Sequence, residues 1–103
     1  MVAAETYYGY LVNGRYEQFL QGREGMTDIP GSFREQLLTT YRQFMARQSE
    51  MHGGLKRVSA LSAQCDSTSF ERMDVFLLLE YADSVKEEIV VPMVGRDDVW
   101  LMK

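Results

Sequence analysis

The sequence predicts an α+β fold, with three helices in the first half laid on one side of an antiparallel meander formed by the second. Three observations carry this. Apolar residues recur at helical spacing as far as Met51, and from Lys56 the period changes to two. The long amphipathic stretch that precedes the change ends on Gly53-Gly54, the residues that stop a helix at least cost. The strand candidates are joined by the short polar turns DSTS, ADSV and GRDD, and connections that short make sequential antiparallel pairing the default.

Each element has its own signal. Ala3, Ala4, Tyr7, Tyr8, Leu11 and Val12 give a first helix that stops near Asn13-Gly14. Tyr16, Phe19 and Leu20 suggest a second of one or two turns, ending before Gly22, and QGREGMTDIPG reads as a loop. Ser32 followed by Glu35 forms an S-x-x-E capping box, in which each side chain satisfies an otherwise unpaired amide. From there Phe33, Leu37, Tyr41, Phe44, Gln48 and Met51 trace one helical face, widened by Leu38 and Met45. This third helix, ~30 Å long at 1.5 Å per residue, is expected to be the one on which the sheet packs. Strands are expected over 56–66, 70–82, 86–94 and 99–103.

Bulk properties bound the function. At 103 residues the chain fits one domain spanning 1–103, and a chain of this size buries roughly 60–70 % of its unfolded surface, enough for a core without staples. The formal charge is −4 and neither half is basic: residues 1–54 carry five Lys/Arg against six Asp/Glu, residues 55–103 six against nine. A domain that grips phosphate backbones shows a cationic stripe, so the charge argues against nucleic acid. Cys65 is the only cysteine, which rules out an intrachain disulfide or a cysteine-rich zinc site. Within SALSAQC it reads as a buried, inert thiol. No run approaches the ~20 apolar residues of a membrane span. No basic-then-apolar leader opens the chain as given, which leaves the compartment open: cytoplasmic as it stands, extracytoplasmic if a leader was trimmed.

The final hairpin raises the functional question. Closed over GRDD, it sets Val94 against Val99, Met93 against Trp100, Pro92 against Leu101 and Val91 against Met102, and cross-strand partners share a face. Ile89, Val91, Met93, Trp100 and Met102 form the bulkier face, expected under the helices. Val90, Pro92, Val94, Val99 and Leu101 form a reverse that is almost equally apolar. In the neighbouring strand Met73, Val75, Leu77, Leu79 and Tyr81 give a continuous core face, while Asp74, Phe76, Leu78 and Glu80 are apolar in the middle and acidic at both ends. The register across Asp83-Ser84 is open by one residue, and a one-residue slip exchanges the faces. Either choice leaves a second face with a hydrophobic centre.

Three helices cover only one side of such a sheet, and soluble monomers rarely expose contiguous apolar patches beyond a few hundred Å². Burying about six such side chains, at ~1.5–3 kcal/mol each, gains ~10 kcal/mol gross, against an association cost of several kcal/mol or more. A second copy is the expected cover, packed sheet on sheet about a two-fold axis. Phe76, Leu78, Val90, Pro92, Val94, Val99 and Leu101 would form that interface. The alternative is a sheet that curls over its own 21–31 loop or stays exposed.

The order helix–helix–helix–meander, ending in a polar turn before Val99-Trp100-Leu101-Met102, resembles the nuclear-transport-factor-2-like (NTF2-like) superfamily, the cystatin-like α+β cone. YGYLVNGRYEQFLQG (residues 8–22) looks like that superfamily's opening helix, break and short second helix. VPMVGRDDVWLMK (residues 91–103) resembles its strand–turn–strand ending, where a D-G-x-W turn precedes a Trp buried under the helices; here the turn reads R-D-D-V-W and the glycine is displaced to Gly95. The resemblance implies three N-terminal helices packed on a four-stranded antiparallel curved sheet. Among members the chain looks most similar to small domains of gut Bacteroidetes, often secreted or lipid-anchored, although it lacks the lipobox cysteine that anchoring requires. The superfamily holds isomerases, dehydratases and polyketide cyclases beside noncatalytic binding and dimerisation domains, and fold alone does not choose among them. It also implies that Tyr8, Tyr41, Tyr81 and Trp100 line the cone, where they could orient a small ligand; at helical spacing an aromatic stripe is more often plain core.

The residues themselves give little chemistry. His52, the sole histidine, follows Met51 at the end of the long helix, where the helix dipole favours an imidazolium in a stabilising role. One His and one Cys cannot make a zinc site, which needs three or four converging ligands. Glu87-Glu88 and Asp97-Asp98 read as solvated pairs, and Asp74, between apolar neighbours, as a rim residue. No G-x-S-x-G, P-loop, dinucleotide fingerprint or H-E-x-x-H occurs, and Gly22, Gly25 and Gly31 follow no strand that would make them a phosphate cradle. No catalytic residue, metal or cofactor is therefore assigned. The sequence leans toward a noncatalytic domain that homodimerises through its sheet and binds a protein or a small apolar ligand. The competing reading, a small isomerase or dehydratase, requires two ionisable or hydroxyl groups facing each other across an open cavity, such as a tyrosine with Asp74.

Overall fold

In the computed structural model three helices precede four strands: α1 (Val2–Val12), α2 (Tyr16–Gln21), α3 (Gly31–His52), β1 (Leu55–Asp66), β2 (Ser69–Tyr81), β3 (Lys86–Arg96) and β4 (Val99–Met102). The strands form one antiparallel sheet in the order β1-β2-β3-β4, giving the predicted α+β fold. The structure describes residues 2–26, 28–66, 69–96 and 98–103, leaving out the side chains of 66, 69 and 70. The middle of the DSTS turn and Asp97 of the GRDD turn and of the acidic pair therefore lie outside it.

Helix α1 buries Ala4 and Leu11, one heptad apart on a single face, and lies across β1, β2 and β4. It ends at Asn13-Gly14 with Gly14 left-handed at φ 74°. Helix α2 turns Phe19 and Leu20 inward and stops at Gly22. A methyl group on Gly22 would stand 2.5 Å from Cδ1 of Tyr7, so the glycine is what lets that ring close over the chain. Beyond it the loop runs beside β4: the Met102 amide donates to the Gly22 carbonyl and the Glu24 amide to the Met102 carbonyl, both at 2.7 Å. An edge strand with free amides invites pairing with another chain, and this loop occupies that edge.

Two expectations for α3 are corrected. The helix begins at Gly31 with Pro30 as N-cap and no side-chain cap. Ser32 is thus already inside the first turn, and the Ser32/Glu35 box does not form. The apolar face also divides. Leu38 is buried and Tyr41 and Met45 pack on the core, whereas Phe33, Phe44 and Met51 stay exposed. Helix α1 occupies most of the inner sheet face and α3 meets the sheet mainly at β1, so only one edge of its wide apolar arc is covered. The Gly53-Gly54 stop is as expected, with Gly53 left-handed at φ 76° and the Gly53 and Gly54 amides donating to the Ser49 and Gln48 carbonyls.

The strand registers settle which face is which. Leu77 pairs with Ile89, Val75 with Val91 and Met73 with Met93, while Phe76 pairs with Val90, Leu78 with Glu88 and Asp74 with Pro92. The first set faces the helices, and Val75 and Leu77 are wholly buried. The last hairpin is two residues tighter than expected. Val94 pairs with Leu101, Gly95 with Trp100 and Arg96 with Val99, so two residues close the turn, with Asp98 left-handed at φ 66°. A shift of two preserves the faces. It also sets the Trp100 ring over Gly95, within about 3.7 Å of where a Cβ would stand. That is ordinary van der Waals contact, so the ring packs over this position without requiring a glycine there.

Candidate functional site

The reverse of the sheet, which no described helix covers, is laid out in rows by the registers. At the β2–β3 turn end, Arg57, Glu80 and Lys86 form a charged row, with Arg57 Nε 2.7 Å and Lys86 Nζ 3.8 Å from the Glu80 carboxylate. Next come Ser59, Leu78 and Glu88, then Ser62, Phe76 and Val90, then Gln64, Asp74 and Pro92, and last Arg72, Val94 and Leu101. The middle rows make an apolar centre. Val90 is 50 % exposed and Leu61 49 %, beside half-buried Phe76 and Leu78 and exposed Pro92. Val99 is also half exposed at the far end, and Leu101 is half buried. Val94 departs from this: it is 3 % exposed within the single chain, flanked on its face by Arg72 and Leu101, and has almost no surface left to give to an interface.

Leu61 joins this patch by simple alternation from Ser59, the partner of outward-facing Leu78, whereas the next residue, Ser62, would by alternation alone turn inward. A register shift between Ala60 and Ser62 marks a bulge, and a bulge re-aims one side chain and breaks the period. Nothing in the sequence marks such a site. On the strand's free edge, the Ala60 amide donates 2.8 Å to the Glu5 carboxylate of α1.

Beside the apolar centre, Gln64, Arg72, Asp74, Pro92 and Lys103 line a recess of about 250 Å³ with Cys65 at its wall. Cys65 is exposed, which corrects the expectation of a buried thiol: β1 runs on past Ala63, its last residue packed against the core. Asp74 is exposed, as a rim residue should be. Among the described residues the side chains of Arg72, Asp74, Glu88 and Lys103 make no ion pair.

The predicted cone residues pack against protein neighbours, and Tyr81 also borders a surface recess with Arg57, Glu80 and Val85. Tyr8 and Tyr41 meet the buried Phe19 edge-on, with ring centroids 5.2 and 5.0 Å away, filling the space between helices and sheet. The Tyr41 hydroxyl accepts from Arg23 Nη1 at 2.8 Å. Burial raises the Tyr8 phenol above its ordinary range, with Tyr41 adding to the rise and Arg23 opposing it. Trp100 sits at the opposite end of the sheet from Tyr81, where its carbonyl accepts from the Tyr7 hydroxyl at 2.7 Å. Tyr81 closes the other end against Leu55 and Leu79, its hydroxyl 3.2 Å from Glu87; burial and the repulsion of that carboxylate push its phenol up to about 12.

His52 does more than complement a dipole. Its Nδ1 lies 2.8 Å from Asp83 Oδ2, and its ring tilts against Tyr81 with centroids 4.9 Å apart. The Ala82 and Asp83 amides donate to the Gly54 and His52 carbonyls, so the end of α3 is pinned to the β2–β3 turn. The bond to His52 holds the Asp83 carboxyl below its usual range, with the Val85 amide contributing. Among the described residues no cluster of His, Cys, Asp or Glu could hold a metal, and no helix is long and apolar enough to cross a membrane.

No family model and no curated protein matches the chain. A solved structure does: a crystal structure, at 2.00 Å, described as a "Putative NTF2-like transpeptidase" from Campylobacter jejuni superposes with a TM-score of 0.73 at 12 % identity, over 96 % of this chain and 92 % of that one. The likeness establishes the NTF2-like fold.

Proposed function

We propose that this chain, built on the NTF2-like fold, is a noncatalytic module that pairs with a second copy through the outer face of its sheet. The observation that carries the reading is the apolar centre of Leu61, Phe76, Leu78 and Val90, on a face that the helices leave open and that charged rows bound. Such a layout, apolar in the middle and polar at the rim, is the anatomy of an interface. The interior supports the same reading. Phe19 fills the space between Tyr8 and Tyr41, and the hydroxyls of Tyr7, Tyr41 and Tyr81 are engaged by Trp100, Arg23 and Glu87. An isomerase or dehydratase would need such groups facing an open cavity. The neighbour's name points to acyl transfer, which wants a nucleophile in hydrogen-bond reach of a base; the exposed Cys65 has no such partner among the described residues. These engaged hydroxyls and packed rings also favour association with protein over capture of a small apolar ligand.

Light scattering of the wild type from about 1 µM to about 1 mM, the range in which about 4 to 8 kcal/mol of association becomes visible, tests the reading together with Leu78→Glu. The expected result is a mass that rises from one chain to two in the wild type and stays at one in the variant. A wild type that remains a single chain throughout overturns it.

A further inference from the structure

We infer that Cys65 and Met73, with Met93 behind them, form a binding site for a soft monovalent metal ion, copper(I). The strand registers set the chain's only cysteine and three of its seven methionines in a single row across the sheet. Cys65 pairs with Met73, Met73 with Met93, and Met93 with Met102. Cross-strand partners share a face, with Cβ atoms ~4.5–5.5 Å apart, so each of the four strands brings one sulfur to the side of the sheet that faces the helices. The next row on that side, Ala63, Val75 and Val91, is aliphatic throughout.

The row grades from solvent to core. Cys65 is exposed and Met73 half buried, whereas Met93 and Met102 belong to the core. Packing alone accounts for Met102. It does not account for a thiol at the open end with a thioether on each of the next two strands. Methionine is unbranched, with three rotatable side-chain bonds, so Met73 and Met93 can both lean toward the thiol, and the exposure of Cys65 supplies the entry path. The donor set chooses the ion. Thiolate and thioether together suit copper(I), while zinc takes thiolate, imidazole or carboxylate. Alternation sends Gln64 and Asp74 to the opposite face, so no hard oxygen ligand from the adjoining row accompanies the sulfurs. On binding, the Cys65 thiol releases its proton to solvent and the thiolate neutralises the ion, while Met73 and Met93 donate sulfur lone pairs. The site lies on the face opposite the proposed pairing surface and does not depend on it.

The test is anaerobic competition for copper(I) held by bicinchoninate, read by the loss of the chelate's colour, with circular dichroism to confirm that each variant folds. The wild type should take up one ion per chain, and X-ray absorption should show sulfur alone around it. Cys65→Ser should abolish uptake. Met73→Leu, which keeps the side-chain volume, should weaken it tenfold or more. Met51→Leu, on the exposed side of α3, should leave it unchanged. A wild type that takes no copper(I) from the chelator overturns the inference. So does a Met73→Leu variant that binds as tightly as the wild type, which would show the thiol acting alone, or a first shell that contains nitrogen or oxygen.

Discussion

Neighbouring residues on opposite faces of β2 should respond very differently to truncation, and Leu77→Ala is the sharper case. Leu77 is 0 % exposed, in an inner strand and flanked on its own face by Ala60 on β1 and Ile89 on β3. Cutting it to alanine loses the transfer energy of the side chain and leaves a cavity that paired neighbours on both sides cannot easily close. Such changes cost about 2.7–5 kcal/mol, and an inner strand of a sheet should sit near the middle, at about 3–4 kcal/mol. Native domains have only about 5–15 kcal/mol in all. At 4–8 °C per kcal/mol, the melting temperature should therefore fall by roughly 12–30 °C. Urea unfolding should show a lower midpoint with an unchanged slope, whatever the protein concentration. Leu78→Ala, one residue on, removes a half-buried side chain from the outer face. It should cost about 1 kcal/mol in dilute solution, and more as concentration rises and the wild type gains stability from pairing. A loss below about 1 kcal/mol for Leu77→Ala, or a larger loss for Leu78→Ala in dilute solution, would refute the assignment of faces.

Ser84 holds φ 73° in the β2–β3 turn, a conformation that costs an L-residue about 1–2 kcal/mol. Against glycine's larger unfolded-state entropy of about 0.5–1 kcal/mol, Ser84→Gly should stabilise by about 0.5–1 kcal/mol in a thermal melt. Gly22→Ala should do the reverse, losing about 1–3 kcal/mol, because its methyl must displace the Tyr7 ring whose hydroxyl holds the Trp100 carbonyl; an unchanged melting temperature would contradict that contact. The phenol of Tyr81, raised to about 12 by burial and Glu87, makes folding more favourable below the unfolded tyrosine value near 10, a contribution that disappears as pH climbs through about 12. Ultraviolet titration should find Tyr81 among the late-ionising tyrosines, and Glu87→Gln should bring it down.

The features legible in the sequence were those fixed by period and by turn chemistry. Alternation along residues 73–81 and 89–93 named both faces of β2 and β3, and the short ADSV turn fixed their order. Gly53-Gly54 marked the end of α3 because a left-handed C-cap is a local requirement. What stayed hidden depends on contacts between distant segments. The bulge after Ala60 that keeps Ser62 outward and the two-residue tightening of the last hairpin both belong to this class. So does the priority of α1 on the sheet, which leaves Phe33, Phe44 and Met51 outside. The neighbours of Cys65 mislead for a related reason: small, apolar residues describe a strand, but not how far along it the core extends. The candidate site was half legible. Its apolar centre follows from the period, whereas the recess and the burial of Val94 arise from three-dimensional packing of strands.

Hydroxyl-radical footprinting of the wild-type chain as its concentration is raised tests most directly whether this face is covered. Leu61, Phe76 and Val90 should become protected together as copies pair, while Phe44 and Met51 on the outer side of α3 keep their reactivity. Unchanged labelling at Leu61, Phe76 and Val90, or protection that appears on α3 instead, would contradict the account.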